Sequence, residues 1–391
     1  MTARILQHIS FASALLLLIS SCSNTRYIPA NDALYTGATV KVEAPDLKKS
    51  KRKTISKNLA ALARPKPNSS ILGLRVKLWF WNIGGNPKRK FSARRLVKRF
   101  GEPPVLLSDL NLEKNTRILQ SSLENEGYFT AKALGDVEIK NKRARAVYTA
   151  RPGSQYLVNE VIFQQDSSAL QKAINRTKNR SLLKKGAPFN LDLIKAERER
   201  IDARLKQRGF YFFNPDNLLI DVDTTIGNHL VNLYVNTKSA TPEEARKIYR
   251  IQDVVIYPSY SINTAFYDTN KRYGIQYDDY MVIDSSRLYK PKLFAQAMQF
   301  RRGDLYNRGE HNTTLNRLIN LGIFKFVKNR FEIAGDSLLN AYYYLTPLPK
   351  KSLRVELGGN TKSNNLTGSQ VTIGFTNRNT FGGGEILTIN T

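Results

Sequence analysis

A lone thiol is the first group in this sequence that could do chemistry. Cys22 is the only cysteine in 391 residues, and it directly follows Leu15-Leu16-Leu17-Leu18-Ile19-Ser20-Ser21. Without a second cysteine it can form no internal disulfide and no multi-cysteine zinc site. The histidines are His8, His229 and His311, and neither of the later two has a second ligand at metal spacing, so surface or strand positions are expected for them. Asp278-Asp279 sits in a Tyr-rich stretch and reads as a solvated loop rather than an acid–base pair. Gly382-Gly383-Gly384 lacks the lysine and helix start that a phosphate loop requires. No nucleophile has a base in reach, so the sequence points away from an enzyme with cofactors and towards binding.

The setting of Cys22 says what the thiol is for. Residues 9–19 form an apolar run interrupted only by Ser10 and Ser13, with Arg4 ahead of it. A helix crossing a bilayer needs about 20 apolar residues, so this run is too short for a resident anchor. A basic start, a short apolar centre and small residues describe a secretory signal over residues 1–21. Ile19-Ser20-Ser21-Cys22 resembles the bacterial lipobox, in which the sulfur takes a diacylglycerol and the chain is cut just before the cysteine. That resemblance implies cleavage between Ser21 and Cys22, fatty-acyl (palmitate) chains on Cys22, and a lipid anchor. An ordinary signal peptide with a chance cysteine is the alternative. The residues after Cys22, Ser-Asn-Thr-Arg-Tyr, are free of acids. Some bacterial groups use acidic runs there to export lipoproteins to the surface, so the periplasmic face is expected.

The net charge is +29 with 61 Lys and Arg against 32 Asp and Glu. The excess concentrates between Lys48 and Arg99, where 17 Lys or Arg meet no acid. Such a run binds nucleic acid or an anionic membrane. An exported chain meets no nucleic acid. Lys48, Lys49, Lys51, Arg52, Lys53, Arg94 and Arg95 are therefore candidates for a membrane surface, at about 1 kcal/mol per well-placed cation. The bland alternative is a solvated basic face.

A repeat organises the rest. Gly127-Tyr128-Phe129 is preceded by Leu123, Leu119 and Leu112; Gly209-Phe210-Tyr211 is preceded by Leu205, Ile201 and Ile194. The offsets match, and they place three apolar side chains on one helix face. The glycine then ends the helix in the left-handed conformation, with the aromatic pair expected to start the next strand. A third copy, Gly322-Ile323-Phe324, keeps Leu318 but has Thr314 and Asn307 at the other places. Alternating stretches flank each copy, giving strand, helix, helix, strand, strand. The strands are expected at 39–43, 134–140 and 142–150; at 156–163, 218–223 and 231–235; and at 250–258, 325–333 and 337–346. The basic segment and the Tyr- and Asp-rich stretch 260–289 are insertions. Within the first, Leu74–Trp81 alternates and reads as extended.

A βααββ unit repeated after a signal peptide resembles the POTRA domain. Gly101-Glu102-Pro103-Pro104-Val105-Leu106-Leu107-Ser108-Asp109 and Arg64-Pro65-Lys66-Pro67-Asn68 are similar to stretches in lipidated, TamA-like members of the BamA superfamily. The tail agrees. Leu353, Val355 and Leu357, then Val371, Ile373 and Phe375, then Leu387 and Ile389, alternate with polar residues, as membrane β-barrels do. Asn377–Glu385 resembles the first hairpin of that family's barrel.

The resemblance implies an α+β chain. A signal peptide (1–21) would be followed by POTRA-like domains at 22–152, 153–240 and 248–349. Residues 351–391 would begin an outer-membrane barrel that continues past Thr391, and this last segment is expected to be poorly ordered or, with its open edge, aggregation-prone as it stands. It implies further a bacterial outer-membrane lipoprotein with periplasmic POTRA-like domains. Such a protein would bind unfolded outer-membrane proteins along sheet edges and assist their insertion with a TamB-like inner-membrane partner. The candidate edges are 134–140, 218–223 and 325–333. A two-partner-secretion-type transporter, or an envelope-binding lipoprotein without assembly role, are the alternatives.

Overall fold

The computed structural model describes residues 25, 27–71, 73–84, 97–261, 274–361 and 367–391. Ser21, Cys22, Arg94 and Arg95 lie outside them. The protein is α+β, and its described residues form three sheets that carry helices and a fourth of three strands. It divides into two compact units: Met1–Glu160, Lys185–Asp192 and Thr224–Asn232 in one, Val161–Lys184, Leu193–Asp223 and Leu233–Thr391 in the other.

The first sheet contains β1 (Leu34–Val42), β2 (Lys132–Lys140) and β3 (Arg143–Arg151), in the order β1-β3-β2. β1 is parallel to β3, and β3 is antiparallel to β2. On β3, Ala144, Ala146, Tyr148 and Ala150 alternate inward and are fully buried. Over them lie α1 (Lys49–Leu62), through Ile55 and Leu59, and α3 (Leu112–Asn125), through Leu119 and Leu123. The Asn111 side chain caps α3 by accepting from Lys114 N–H at 2.8 Å. One buried polar residue shares the inner face of α3. Asn115 accepts from Arg64 N–H at 3.1 Å and donates to the Arg64 carbonyl at 2.5 Å and to Tyr148 Oη at 2.8 Å. It thereby fixes the chain leaving α1 against both α3 and β3.

Between those helices stands α2 (Val76–Gly84), where the alternation of Leu74–Trp81 suggested an extended segment. The stretch is apolar on both sides once Trp79 and Trp81 are counted, so a period of two could not be separated from a helical one. The helix buries Leu78 against Ile28 and Leu34, with Leu106 alongside.

The second sheet has β4 (Leu157–Phe163), β5 (Leu218–Asp223) and β6 (Leu230–Thr237), ordered β4-β6-β5. Its helices are α4 (Ala169–Asn175) and α5 (Leu191–Lys206). Ile194, Ile201 and Leu205 of α5 are buried, as are Val231, Leu233 and Val235 of β6. Fully buried Glu197 lies among them on α5. Its two carboxylate oxygens accept from Arg200 Nε and Nη2 at 2.7 Å each, and one accepts Leu182 N–H at 2.9 Å. Burial alone would raise this carboxyl. The bonds from Arg200, Leu182 and Ser181 outweigh it and hold the group below its ordinary 4.5.

The third sheet runs β10-β11-β7-β9-β8. β7 is Arg250–Tyr257, β10 is Phe324–Gly335 and β11 is Leu338–Pro347; the helices are α6 (Pro291–Ala297) and α7 (Arg308–Asn320). The second half of the Tyr- and Asp-rich insertion is a hairpin, β8 (Gly274–Tyr277) and β9 (Tyr280–Ile283), and β9 adds to the sheet parallel to β7. Asp278-Asp279 is its two-residue turn, with Asp278 exposed and Asp279 half-buried. The degenerate helix copy keeps its geometry with polar atoms. Thr314 is fully buried and accepts Gln299 N–H at 3.0 Å, and Asn307 caps α7 by accepting Gly309 N–H at 2.9 Å. Last come β12 (Lys351–Thr361), β13 (Thr367–Arg378) and β14 (Ile386–Asn390), a regular antiparallel meander rather than the poorly ordered segment expected.

Removing one partner of a buried, doubly hydrogen-bonded ion pair strands the other. Glu197→Ala should therefore cost about 3 kcal/mol in chemical denaturation at pH 7. A depressed carboxyl stabilises the fold above its unfolded pKa and stops doing so as pH falls through its folded one. The gap between wild type and variant should accordingly narrow below pH 4.5.

Candidate polypeptide-binding edges

Each of the three helix-bearing sheets has the outer side of its first strand covered near its start by its own chain. Just ahead of the second long helix of each repeat, a short segment forms an antiparallel bridge to the start of the first strand: Leu106 to Leu34, Pro188 to Leu157, and Leu305 to Arg250. In the first repeat, Tyr35 N–H donates to the Val105 carbonyl at 2.9 Å and Leu107 N–H to the Ala33 carbonyl at 2.8 Å. In the second, Val158 N–H donates to Ala187 at 2.8 Å, Gly186 N–H to Val158 at 2.7 Å and Phe189 N–H to Tyr156 at 2.9 Å. The third repeats this: Ile251 to Asp304 at 2.8 Å, Gly303 to Ile251 at 2.7 Å and Tyr306 to Tyr249 at 2.9 Å. Sequence reading missed this device in all three repeats; in the last two its signal was short, Gly186-Ala187-Pro188-Phe189 against Gly303-Asp304-Leu305-Tyr306.

The two motifs of the first repeat are one structure. Asn68 donates to the Pro103 carbonyl at 2.7 Å and accepts Val105 N–H at 3.0 Å. The Glu102 carboxylate accepts from Ser69 N–H and Oγ at 2.9 Å each. These bonds hold Val105–Leu107 along β1.

The opposite margins belong to β2, β5 and β10, and among the described residues no strand pairs with them. In the third sheet the β9–β8 hairpin further covers the β7 side, leaving β10 as the long margin. These edges carry exposed apolar side chains among their charges: Leu134 and Ile139 on β2, Leu219 on β5, Phe326 and Ile333 on β10. An edge of this kind offers unpaired N–H and C=O groups to an extended peptide, with side-chain contacts secondary.

The repeat glycines join one sheet to the next. Gly127, Gly209 and Gly322 have φ of +88°, +94° and +68°. The Gly127 carbonyl accepts Tyr156 N–H, and the Gly209 carbonyl accepts Tyr249 N–H, both at 2.9 Å. A Cβ on Gly209 would lie 2.6 Å from Ile248 Cγ2, and one on Gly127 3.0 Å from Phe189 Cβ. After the first two glycines the aromatic pair does not begin a strand, as expected from sequence; it splits. Tyr128 and Phe210 are buried, Tyr128 in the core of its own repeat. Phe129 packs on Tyr156 and Phe189, with ring centroids 5.0 and 4.9 Å away, and Tyr211 packs on Tyr306 at 4.8 Å. At the third glycine Phe324 does open β10.

The basic candidates lie on α1 and at its N-cap. Lys48, Lys49, Lys51 and Lys53 are exposed and Arg52 half-buried. Lys51 is engaged, donating to Gln155 at 2.7 Å. His229 lies edge-on to Tyr156, and burial beside Arg308 pulls His311 down to about 4. Among the described residues no three of His, Cys, Asp and Glu could hold a metal, and no helix is long and apolar enough to cross a membrane.

In the meander, register pairs Leu353 with Phe375, Val355 with Ile373, Leu357 with Val371 and Phe375 with Ile389. One face is thus apolar, with Leu357 83% exposed. Its β13–β14 turn sits on the third repeat: Asn379 donates to the Leu288 carbonyl and Lys290 N–H to the Gly382 carbonyl, both at 2.8 Å. The Glu385 carboxylate closes the turn by accepting Phe381 and Gly383 N–H groups at 3.2 and 3.1 Å.

No family model and no curated protein matches the sequence. Solved structures similar to the chain include BamA from Haemophilus ducreyi lacking POTRA domains 1–3 (14% identity, 60% of this chain and 37% of that one, TM-score 0.40). Two others are BamA POTRA3-5 from Haemophilus influenzae (13%, 82% and 99%, 0.39) and CdiB from Acinetobacter baumannii (16%, 61% and 38%, 0.29). The chain spans well under half the length of the first and the last of these.

A side chain in the left-handed region costs about 1–2 kcal/mol before any clash. Gly209→Ala, with a clash as well, should destabilise more than Gly127→Ala, and both by at least about 1 kcal/mol in thermal or chemical unfolding.

Proposed function

We propose that this chain is the periplasmic arm and barrel onset of a lipid-anchored outer-membrane protein of the BamA/TamA-like kind. It binds unfolded outer-membrane proteins by adding their strands to β2, β5 and β10 and assists their insertion. The observation that carries the reading is the repeated asymmetry of the sheets. Each sheet covers the outer side of its first strand near its start, in the third with the β9–β8 hairpin added beyond it, and leaves the margin of its penultimate strand open among the described residues. Main-chain bonding asks little of sequence, which suits many clients that share only the ability to form strands. The meander supports the same reading. Strands of 11 and 12 residues reach the length a tilted membrane strand needs, and one face is apolar.

In this reading Cys22 carries acyl chains that hold the arm at the periplasmic face of the outer membrane. The exposed lysines of α1 add attraction to anionic head groups, and a TamB-like inner-membrane protein is the partner. The domain limits follow the repeats, at 22–152, 153–240 and 248–349, with the barrel beginning at 351.

Two experiments test it. In a Cys22→Ser background, Lys328→Cys on the open face of β10 should form a disulfide with a single-cysteine peptide copied from an outer-membrane barrel strand, since facing positions on paired strands are close enough to bridge. Lys114→Cys on the surface of α3 is the control; equal trapping at both positions would defeat the edge mechanism. Separately, Cys22→Ala should abolish incorporation of labelled palmitate in cells, and undiminished label would remove the lipid anchor.

A further inference from the structure

The first sheet carries a polar cavity of about 710 Å³ on the face of β3 and of the edge strand β2 that is turned away from the core. Register places its floor. Glu138 stands opposite Arg145, and Lys140 opposite Arg143. Residues two apart on a strand share a face, so all four point the same way. Their neighbours Ala144 and Ala146 point into the core. Like charges directly opposite destabilise a sheet, and Lys140 facing Arg143 is such a pair.

Arg75, the residue before α2, comes over this floor from the basic insertion. Its Nη2 donates to the Thr36 carbonyl at 3.4 Å, while its Nε is buried with no acceptor. Burial, then Arg143 and Arg145, pull its guanidinium below the ordinary arginine value. Among the described residues Lys140, Arg143 and Arg145 have no hydrogen-bond or ion-pair partner through their side chains. Ser70 and Asn141 add neutral polar groups, and the wall at Gly73 is open, with nothing within 4 Å of where a Cβ would stand. Four cations thus converge with one carboxylate, Glu138, and nothing among the described residues neutralises the remainder.

We propose that this cavity binds a phosphate ester, its phosphoryl oxygens held by Arg75, Arg143 and Arg145. A phosphoryl group accepts from several directions at once, and guanidinium forks match its geometry two bonds at a time. A cavity of this size is in the range of small-molecule sites and exceeds a bare phosphate, leaving room for the alcohol the phosphate esterifies. The assignment is independent of edge binding and of the lipid anchor. The ester is either a lipid head group or a free soluble one.

Calorimetric titration of the full chain with inorganic phosphate and glycerol 1-phosphate, and co-sedimentation with phosphatidylglycerol or phosphatidylcholine vesicles, test it. Glycerol 1-phosphate should bind. Arg143→Gln should weaken binding by about tenfold or more, the scale of a lost charge-assisted bidentate contact. Glu138→Gln should tighten it, and the paired change Lys184→Gln and Lys185→Gln, at exposed positions of the second repeat, should leave it unchanged. Phosphatidylglycerol binding displaced by glycerol 1-phosphate assigns the site to lipid head groups; binding of the soluble ester alone assigns it to free esters. Without ligand, Arg143→Gln should melt at or above the wild-type temperature, because its repulsion with Lys140 is gone. A lower melting point would mean that Arg143 has a structural partner, and would overturn the proposal. So would an equal loss of binding in the Lys184→Gln, Lys185→Gln variant, or the failure of a folded wild type to bind any phosphoryl probe.

Discussion

A bridge of two or three backbone hydrogen bonds decides what each sheet can do. A three-stranded sheet has two margins, and both expose unpaired amides and carbonyls unless something covers them. Here the segment before each second long helix returns along the first strand and satisfies that strand's outer groups near its start. Because the same bridge recurs at Leu34, Leu157 and Arg250, the openness of β2, β5 and β10 is a property of the fold and not an accident of one repeat. Both insertions strengthen this asymmetry. The Asn68–Glu102 clip locks the bridging segment in the first repeat, and the β8–β9 hairpin lies beyond β7 in the third.

The bridge also explains the glycines. In the second and third sheets, the strand start that it holds is where the chain arrives from the preceding repeat. The Gly127 and Gly209 carbonyls bond that arriving strand, at Tyr156 and Tyr249. The bridging aromatics Phe189 and Tyr306 receive Phe129 and Tyr211. A helix end, a strand start and a bridge therefore meet at one point. A Cβ there has no space, because Phe189 crowds Gly127 and the Ile248 side chain crowds Gly209.

Much of this was legible because periodicity reports burial. Leu119 and Leu123, or Ile201 and Leu205, could be read as inward-facing from spacing alone, and the alternation of Val231, Leu233 and Val235 named a strand. Burial is not always apolar, however. Thr314 and Asn307 looked like decay of the repeat but serve it through hydrogen bonds, to Gln299 and Gly309. Leu74–Trp81 fitted two periods, and its packing partners Ile28 and Leu34 lie far away in sequence. The bridges were invisible for a further reason: a backbone hydrogen bond leaves no side-chain pattern, so only the short Gly-x-x-aromatic echo at 186–189 and 303–306 marked them. The arginine cavity depends on which residues face each other across a turn and on an insertion folding over them, neither of which composition reveals.

An open edge is also a hazard, since another copy of the same edge could pair with it. The charges answer that. β10 carries Lys325, Lys328 and Arg330 against Glu332, and β2 carries Lys132 and Lys140 among its acids. Edge lysines discourage self-pairing because two such edges bring like charges together. A chain at +29 amplifies this, as every approach of one copy to another is repulsive over about a Debye length, near 10 Å at moderate salt. A neutral or acidic extended segment meets no such barrier. The backbone groups that would zip two copies together are thus kept unpaired, which is the condition that the proposed strand addition requires.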